Sequence, residues 1–225
     1  ADTKIMEDER IFTEIAKIMD SRPDLVKMSA PKISPIVMDI VNGARAELNR
    51  KDTLERHKQG AKSYRGQTDW LMSSNYKTKI IYRVPEIIDS LTENSHIIVS
   101  ELVQGESLDK AAESYRNLAP DMKRLVIESL VGLWVKTSFF GNGFYHSDLH
   151  PGNIIVRVTD EAIIVNIIDY GMGGTLTEEQ MRQSFILGAG LELRYADVIA
   201  KSLWKLSNDT ENKISFQDFT KLIKE

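Results

Sequence analysis

Cysteine is absent from the 225-residue chain. That excludes disulfides, thiolate catalysis and cysteine-ligated metal centres. Long apolar runs are missing too: none reaches the roughly 20 residues that cross a bilayer, and no signal-peptide pattern is visible. Nor is there an excess of basic charge, since 29 Lys and Arg face 33 Asp and Glu and the net charge is −4. Nucleic acid is therefore not an expected partner. These absences lead us to expect a soluble or membrane-peripheral protein.

What charge there is lies unevenly. From Arg45 to Arg83 ten basic residues stand against four acidic ones, which leaves −10 on the rest of the chain. A solvated helix face is the ordinary reading of such a stretch. The sharper one is a surface for phosphates or an anionic membrane, with Trp70 as its candidate contact residue.

The most informative segment is Phe144-Tyr-His-Ser-Asp-Leu-His-Pro-Gly-Asn153, followed by Ile167-Ile-Asp-Tyr-Gly171. It holds two carboxylates and one amide in a spacing suited to phosphoryl transfer. That reaction asks a protein mainly for position and electrostatics, because the phosphates and their Mg²⁺ carry the charge. Mg²⁺ prefers hard oxygen ligands and keeps part of its water shell, so an acid and an amide suffice. Asn153 and Asp169 are the candidate metal ligands, and Asp148 is the candidate acceptor for the proton of an attacking hydroxyl or water. His146 and His150 are expected to brace the loop rather than bind zinc, because no further His or Cys cluster completes a site.

Apolar spacing predicts helices over the first twenty residues and from Pro35 through Glu55 to Gly60 or Gly66. Thr68 to Asn75 carries no regular pattern and reads as a loop. Strands are expected at Lys79–Val84 and His96–Val103, then helices at Ser107–Arg116 and Pro120–Phe140. The second of these is apolar on most faces, which predicts burial all round. Ile154–Val158 and Ala162–Ile168 predict a hairpin whose ends bring Asn153 and Asp169 to one point. Helices follow from Thr177, Tyr195 and Ser215.

This order of elements resembles the protein-kinase-like fold, and more narrowly the UbiB/AarF atypical kinase family, linked to ubiquinone biosynthesis and membrane lipid homeostasis. The residues that carry the resemblance are Val84-Pro-Glu-Ile-Ile-Asp89, His96 to Leu108, Gly143 to Val156, and Asp169-Tyr-Gly-Met-Gly-Gly-Thr-Leu-Thr-Glu-Glu-Gln180. It implies an α+β chain with a partial amino-terminal lobe at 1–103 and a mostly helical carboxy-terminal lobe at 104–225. It implies ATP or ADP with Mg²⁺, and a phosphoryl acceptor that the sequence does not name. Asp148 matches the catalytic aspartate, and Asn153 and Asp169 the metal ligands. Glu101 to Val103 match the hinge that meets adenine. Glu47 matches the first acid of a Glu-x-Asp pair whose second member is here Asn49; a further expected glutamate falls on Thr53, with Glu55 as its candidate replacement.

The family's first landmarks are a Lys-x-Gly-Gln helix, an alanine-rich nucleotide loop and a strand bearing the phosphate-binding lysine. None is in the sequence, and Lys4 lies too close to the first helix to replace that lysine. The chain thus resembles a kinase-like domain cut just past its lysine strand, either a fragment of a longer protein or a natural remnant. Three functions stay open: an ATP-dependent kinase or ATPase of this type, a pseudokinase binding module, and a small-molecule phosphotransferase of the aminoglycoside or choline class. Asn49, Thr53 and the missing lysine favour the second. Glu192 and Asp197 are the only acids in Met181–Trp204 that the third would use in a substrate pocket.

Overall fold

The computed structural model describes residues 2–22, 32–73, 76–92, 97–114, 122–207 and 214–224. The chain divides into two compact units, residues 1–55 and 56–225.

In the first unit, helix α1 (Asp2–Asp20) packs against α2 (Ser34–Leu48). Asp20 fixes the start of α2: its carboxylate accepts the backbone N–H of Ile33 at 2.6 Å and of Ser34 at 3.1 Å. These bonds hold the Asp20 carboxyl below its ordinary pKa, the bond from the Ser34 hydroxyl contributing most. The single helix expected from Pro35 onward is in fact two. Asn49 interrupts it, its side-chain oxygen accepting the N–H of Lys51 at 3.1 Å, and α3 (Arg50–Tyr64) begins there. An asparagine satisfies the free donors of a new helix better than it continues an old one.

The second unit is built on a five-stranded mixed sheet in the order β1-β2-β6-β5-β3. Its strands are β1 (Thr68–Ser73), β2 (Tyr76–Arg83), β3 (Glu106–Ser107), β5 (Ile154–Val158) and β6 (Ala162–Ile167). A two-stranded ribbon pairs β4 (Phe144–His146) with β7 (Gly173–Thr175). β2 and β6 run parallel, Lys79 opposite Ala162 and Arg83 opposite Asn166. Helices α4 (Asp89–Thr92), α5 (Leu108–Ser114), α6 (Met122–Val135), α7 (Glu178–Glu192), α8 (Ala196–Leu206) and α9 (Phe216–Lys224) complete the described elements, with one π-helical turn at Lys136–Phe140. The architecture is α+β.

Two strand expectations fail. Thr68–Ser73 is a strand rather than a loop, pairing antiparallel with β2. Its alternation is hidden because Asp69 sits on the same face as buried Leu71. Ser129 of α6 donates to the Asp69 carboxylate at 2.6 Å, so the Tyr82 hydroxyl donates to Ser129 at 2.6 Å. That relay ties β1, β2 and α6 together. By contrast, among the described residues the stretch from Ile97 to Val103 forms one bridge, Ser100 with Ile87, and His96 lies outside those residues. Pro120, the expected start of α6, also lies outside them.

α6 is not buried all round. Met122, Leu125, Val126, Leu130 and Leu133 enter the core, whereas Ile127 and Val131 are exposed. These two line a mostly apolar cavity of about 350 Å³ beside Trp134, Leu149 and Pro151. Tyr64, Tyr82, Phe144, Tyr170 and the β5–β6 aliphatics join them in the core.

Candidate active site

The site grows out of the β5–β6 hairpin. Ile154 pairs with Ile167, so the residue before β5 and those after β6 emerge side by side. Ile168 donates its N–H to the Asn153 carbonyl at 3.0 Å and extends this pairing. Asn153 closes a short 3₁₀ turn over Pro151–Asn153 and is buried. Its amide nitrogen donates to the Asp148 carbonyl at 2.9 Å and lies 3.4 Å from the Asp148 carboxylate. With that nitrogen committed to the loop, the Asn153 side-chain oxygen is the atom left to meet a cation.

Asp169 adopts a positive φ of 58°, rare for a residue with a side chain. Its carboxylate accepts the N–H of Gly171 at 3.0 Å, a local turn that suits an aspartate in this conformation. Asp169 is exposed, and the Asp148 carboxylate is about half exposed, so both reach solvent.

His146 braces these two segments. Its Nδ1 accepts the N–H of Asp148 at 3.1 Å, which places the proton on Nε2, 3.2 Å from the Ile168 carbonyl. The imidazole is 2% exposed, and burial pushes its pKa down, against the raising effect of Ile168, Asp169 and Asp148. It is a neutral strut. His150 bonds within the loop, its Nδ1 accepting the N–H of Gly152 at 3.0 Å; its Nε2 stands 3.7 Å from Asp148.

Two of the residues that hold Tyr170, Arg56 and Gly60, went unrecognised in the sequence. The ring is 2% exposed and packs against His146, Phe144 and His57, with its hydroxyl donating to the Ile167 carbonyl at 3.3 Å. Arg56 of α3 donates through Nε to the Tyr170 carbonyl at 3.0 Å. Gly60, one turn further on, lies so close that a Cβ there would sit 2.1 Å from Tyr170 Cε1. The one signal available was a glycine inside a helix, which often marks a close packing contact.

Among the other expected site residues, Glu101 and Val103 lie apart from the loop and line a polar cavity with Arg83, Gln104, Arg157 and Asn166. Glu101 receives Arg83 at 3.1 Å, and its own N–H donates to the Glu86 carbonyl at 2.8 Å. Gly105 ends this segment at φ 133° with its α-carbon against the Val156 carbonyl, an approach that any side chain would block. Glu47 is in α2 of the first unit, and its side chain lies outside those described. Asp197 pairs with Lys224 at 2.7 Å. Among the described residues no group of three or more His, Asp or Glu is placed to hold a metal.

Set beside known proteins, residues 4–189 match the family model described as the ABC1 atypical kinase-like domain. AarF domain-containing kinase 1 of Drosophila melanogaster is 28% identical over 109 residues, covering 48% of this chain and 20% of that protein. The probable protein kinase UbiB of Aliivibrio fischeri is 35% identical over 100 residues, 44% of this chain and 18% of the relative. That of Vibrio campbellii is 26% identical over 187 residues, 74% of this chain and 34% of the relative. The matches thus span about a fifth to a third of these curated relatives' length.

Proposed function

Because the chain belongs to the ABC1 atypical kinase-like domain family, whose model covers residues 4–189, we propose that it carries the Mg²⁺-nucleotide and phosphoryl-transfer centre of an ATP-dependent kinase or ATPase. The observation that carries this reading is the register of the β5–β6 hairpin, which sets Asn153 beside the segment bearing Asp169 and leaves Asp148 bonded to Asn153. The donor set fits Mg²⁺: an amide oxygen turned away from its committed nitrogen, and an exposed carboxylate. Bound Mg²⁺-ATP would supply the transferable phosphoryl group and the charge that neutralises it.

The chain's own residues then have distinct tasks. Asn153 and Asp169 hold the ion. Asp148 accepts a hydrogen bond from the attacking hydroxyl or water, and His146 keeps its backbone in place. Tyr170, clamped by Arg56, holds the conformation of Asp169. Glu101 and Val103 present hinge backbone to the base, with the lobe division at residues 103 and 104. A role in ubiquinone or membrane-lipid metabolism agrees with the family resemblance. Trp70, Met72, Lys77 and Lys79 lie on one face of the β1–β2 edge, with Lys77 4.8 Å above the Trp70 ring, and suit an anionic membrane surface. Binding to anionic liposomes unchanged by Trp70→Ala would remove that partner.

A fluorescent ATP analogue tests the centre. Binding is expected to require Mg²⁺, to fall at least tenfold in Asn153→Ala and Asp169→Asn, and to persist in Asp148→Asn. Equal binding in all three variants would overturn the assignment.

A further inference from the structure

β6 reads Ala-Ile-Ile-Val-Asn-Ile, and Asn166 is its one polar residue. It is 5% exposed, in a strand whose other members are mostly core. Burying an amide is costly unless its hydrogen bonds are made. The bond found for it, from Nδ2 to the Ile155 carbonyl, is long at 3.4 Å. Asn166 lines the polar cavity of about 250 Å³ behind residues 101–104.

Two guanidinium groups flank it on the same face of the sheet. Arg83 stands opposite Asn166 on β2, and Arg157 opposite Ile164 on β5. Since both line the cavity, they approach it from either side of β6, about two strand spacings or ~9.6 Å apart. Arg83 is paired with Glu101 at 3.1 Å. Arg157 is held differently: its NH1 donates to the side-chain oxygen of Gln104 at 2.5 Å. A neutral amide orients that fork without neutralising it, and among the described residues no carboxylate lies within ion-pair distance of Arg157. Two cations and one anion therefore face the cavity, together with a buried amide that has bonding capacity left.

We propose that this cavity is a binding site for a small organic oxyanion, a carboxylate or phosphate monoester, gripped by Arg157 and Asn166 and distinct from the Asp148–Asn153–Asp169 centre. A planar or tetrahedral oxyanion matches the guanidinium fork. The cavity lies below the roughly 300 Å³ at which drug-sized pockets begin, so the ligand is small. Its wall includes Glu101 and Val103, so an occupant also braces the hinge backbone. Only this last consequence rests on the nucleotide reading above; the anion site does not.

Thermal-shift titrations at matched ionic strength test the site, with citrate and succinate as carboxylate probes, inorganic phosphate as the phosphate probe and sodium chloride as control. A saturable rise in Tm is expected with at least one class of probe and not with chloride, and whichever class acts names the source. The shift is expected to vanish in Arg157→Gln, to weaken in Arg157→Lys, and to survive in Asp169→Asn, which removes the proposed metal ligand. No shift above the chloride control overturns the proposal, as does a full shift in Arg157→Gln. If adenosine, which carries no anion, raises Tm and loses that effect in Arg157→Gln, the cavity is the base pocket and the anion site is wrong.

Discussion

Gly60 shows how far a single hydrogen can matter. Its α-carbon faces the Tyr170 ring, and a methyl group there would meet Cε1 at 2.1 Å. Gly→Ala in a helix is ordinarily stabilising by about 1 kcal/mol, but here overpacking opposes it by about 1–3 kcal/mol or more. Gly60→Ala is therefore expected to lower the urea midpoint. A Gly60→Ala chain as stable as wild type would show that Tyr170 is not seated there. Buried His146 and half-buried His57 give a pH dependence. Burial lowers the pKa of His146, beside Asp148 and Asp169, and of His57, beside Pro85 and Arg65. Each takes up a proton more readily unfolded than folded. Stability is then full above the ordinary histidine value of 6.5 and falls as pH drops below it toward the depressed folded values. Urea melts from pH 7.5 to 5.0 should show this loss, reduced in His57→Gln; a flat profile would mean the rings are not buried neutral.

Among the elements, β1, β2 and α6 are joined by the relay from Tyr82 through Ser129 to Asp69. Ser129→Ala strands a tyrosine hydroxyl that is 1% exposed at residue level, and burial already raises its pKa far above normal. A cost of about 1–3 kcal/mol is expected, read as a lower urea midpoint, with Tyr82→Phe recovering part of it in the double variant. Additive losses would contradict the relay. This relay also explains why β1 was illegible. Thr68-Asp-Trp-Leu-Met-Ser reads as irregular only while Asp69 has no known partner, and the partner lies 60 residues away. The β5–β6 hairpin was legible because its strands are runs of Ile and Val with a turn between, so both pairing and register follow locally. Ile97–Val103 has the same composition but bridges at a single pair, Ile87 with Ser100. Apolar content alone does not make a strand.

At the scale of the whole chain, the loop and the Asp-Tyr-Gly step could be picked out as candidates because their residues stand in fixed spacing along the sequence. The support behind them could not. Arg56 and Gly60 meet Tyr170 from more than 100 residues away, and Arg83 and Arg157 reach one cavity only through a parallel pairing of β2 with β6. Such contacts belong to the tertiary fold. Whether Asn153 and Asp169 form one Mg²⁺-nucleotide centre is decided by thermal shift with ATP and ADP, with and without Mg²⁺, in wild type and Asp169→Asn. At 100 times its dissociation constant a ligand stabilises the native state by about 2.7 kcal/mol. A Mg²⁺-dependent rise in Tm that Asp169→Asn abolishes is expected; a rise of equal size in that variant, or none in the folded wild type, would overturn the shared centre.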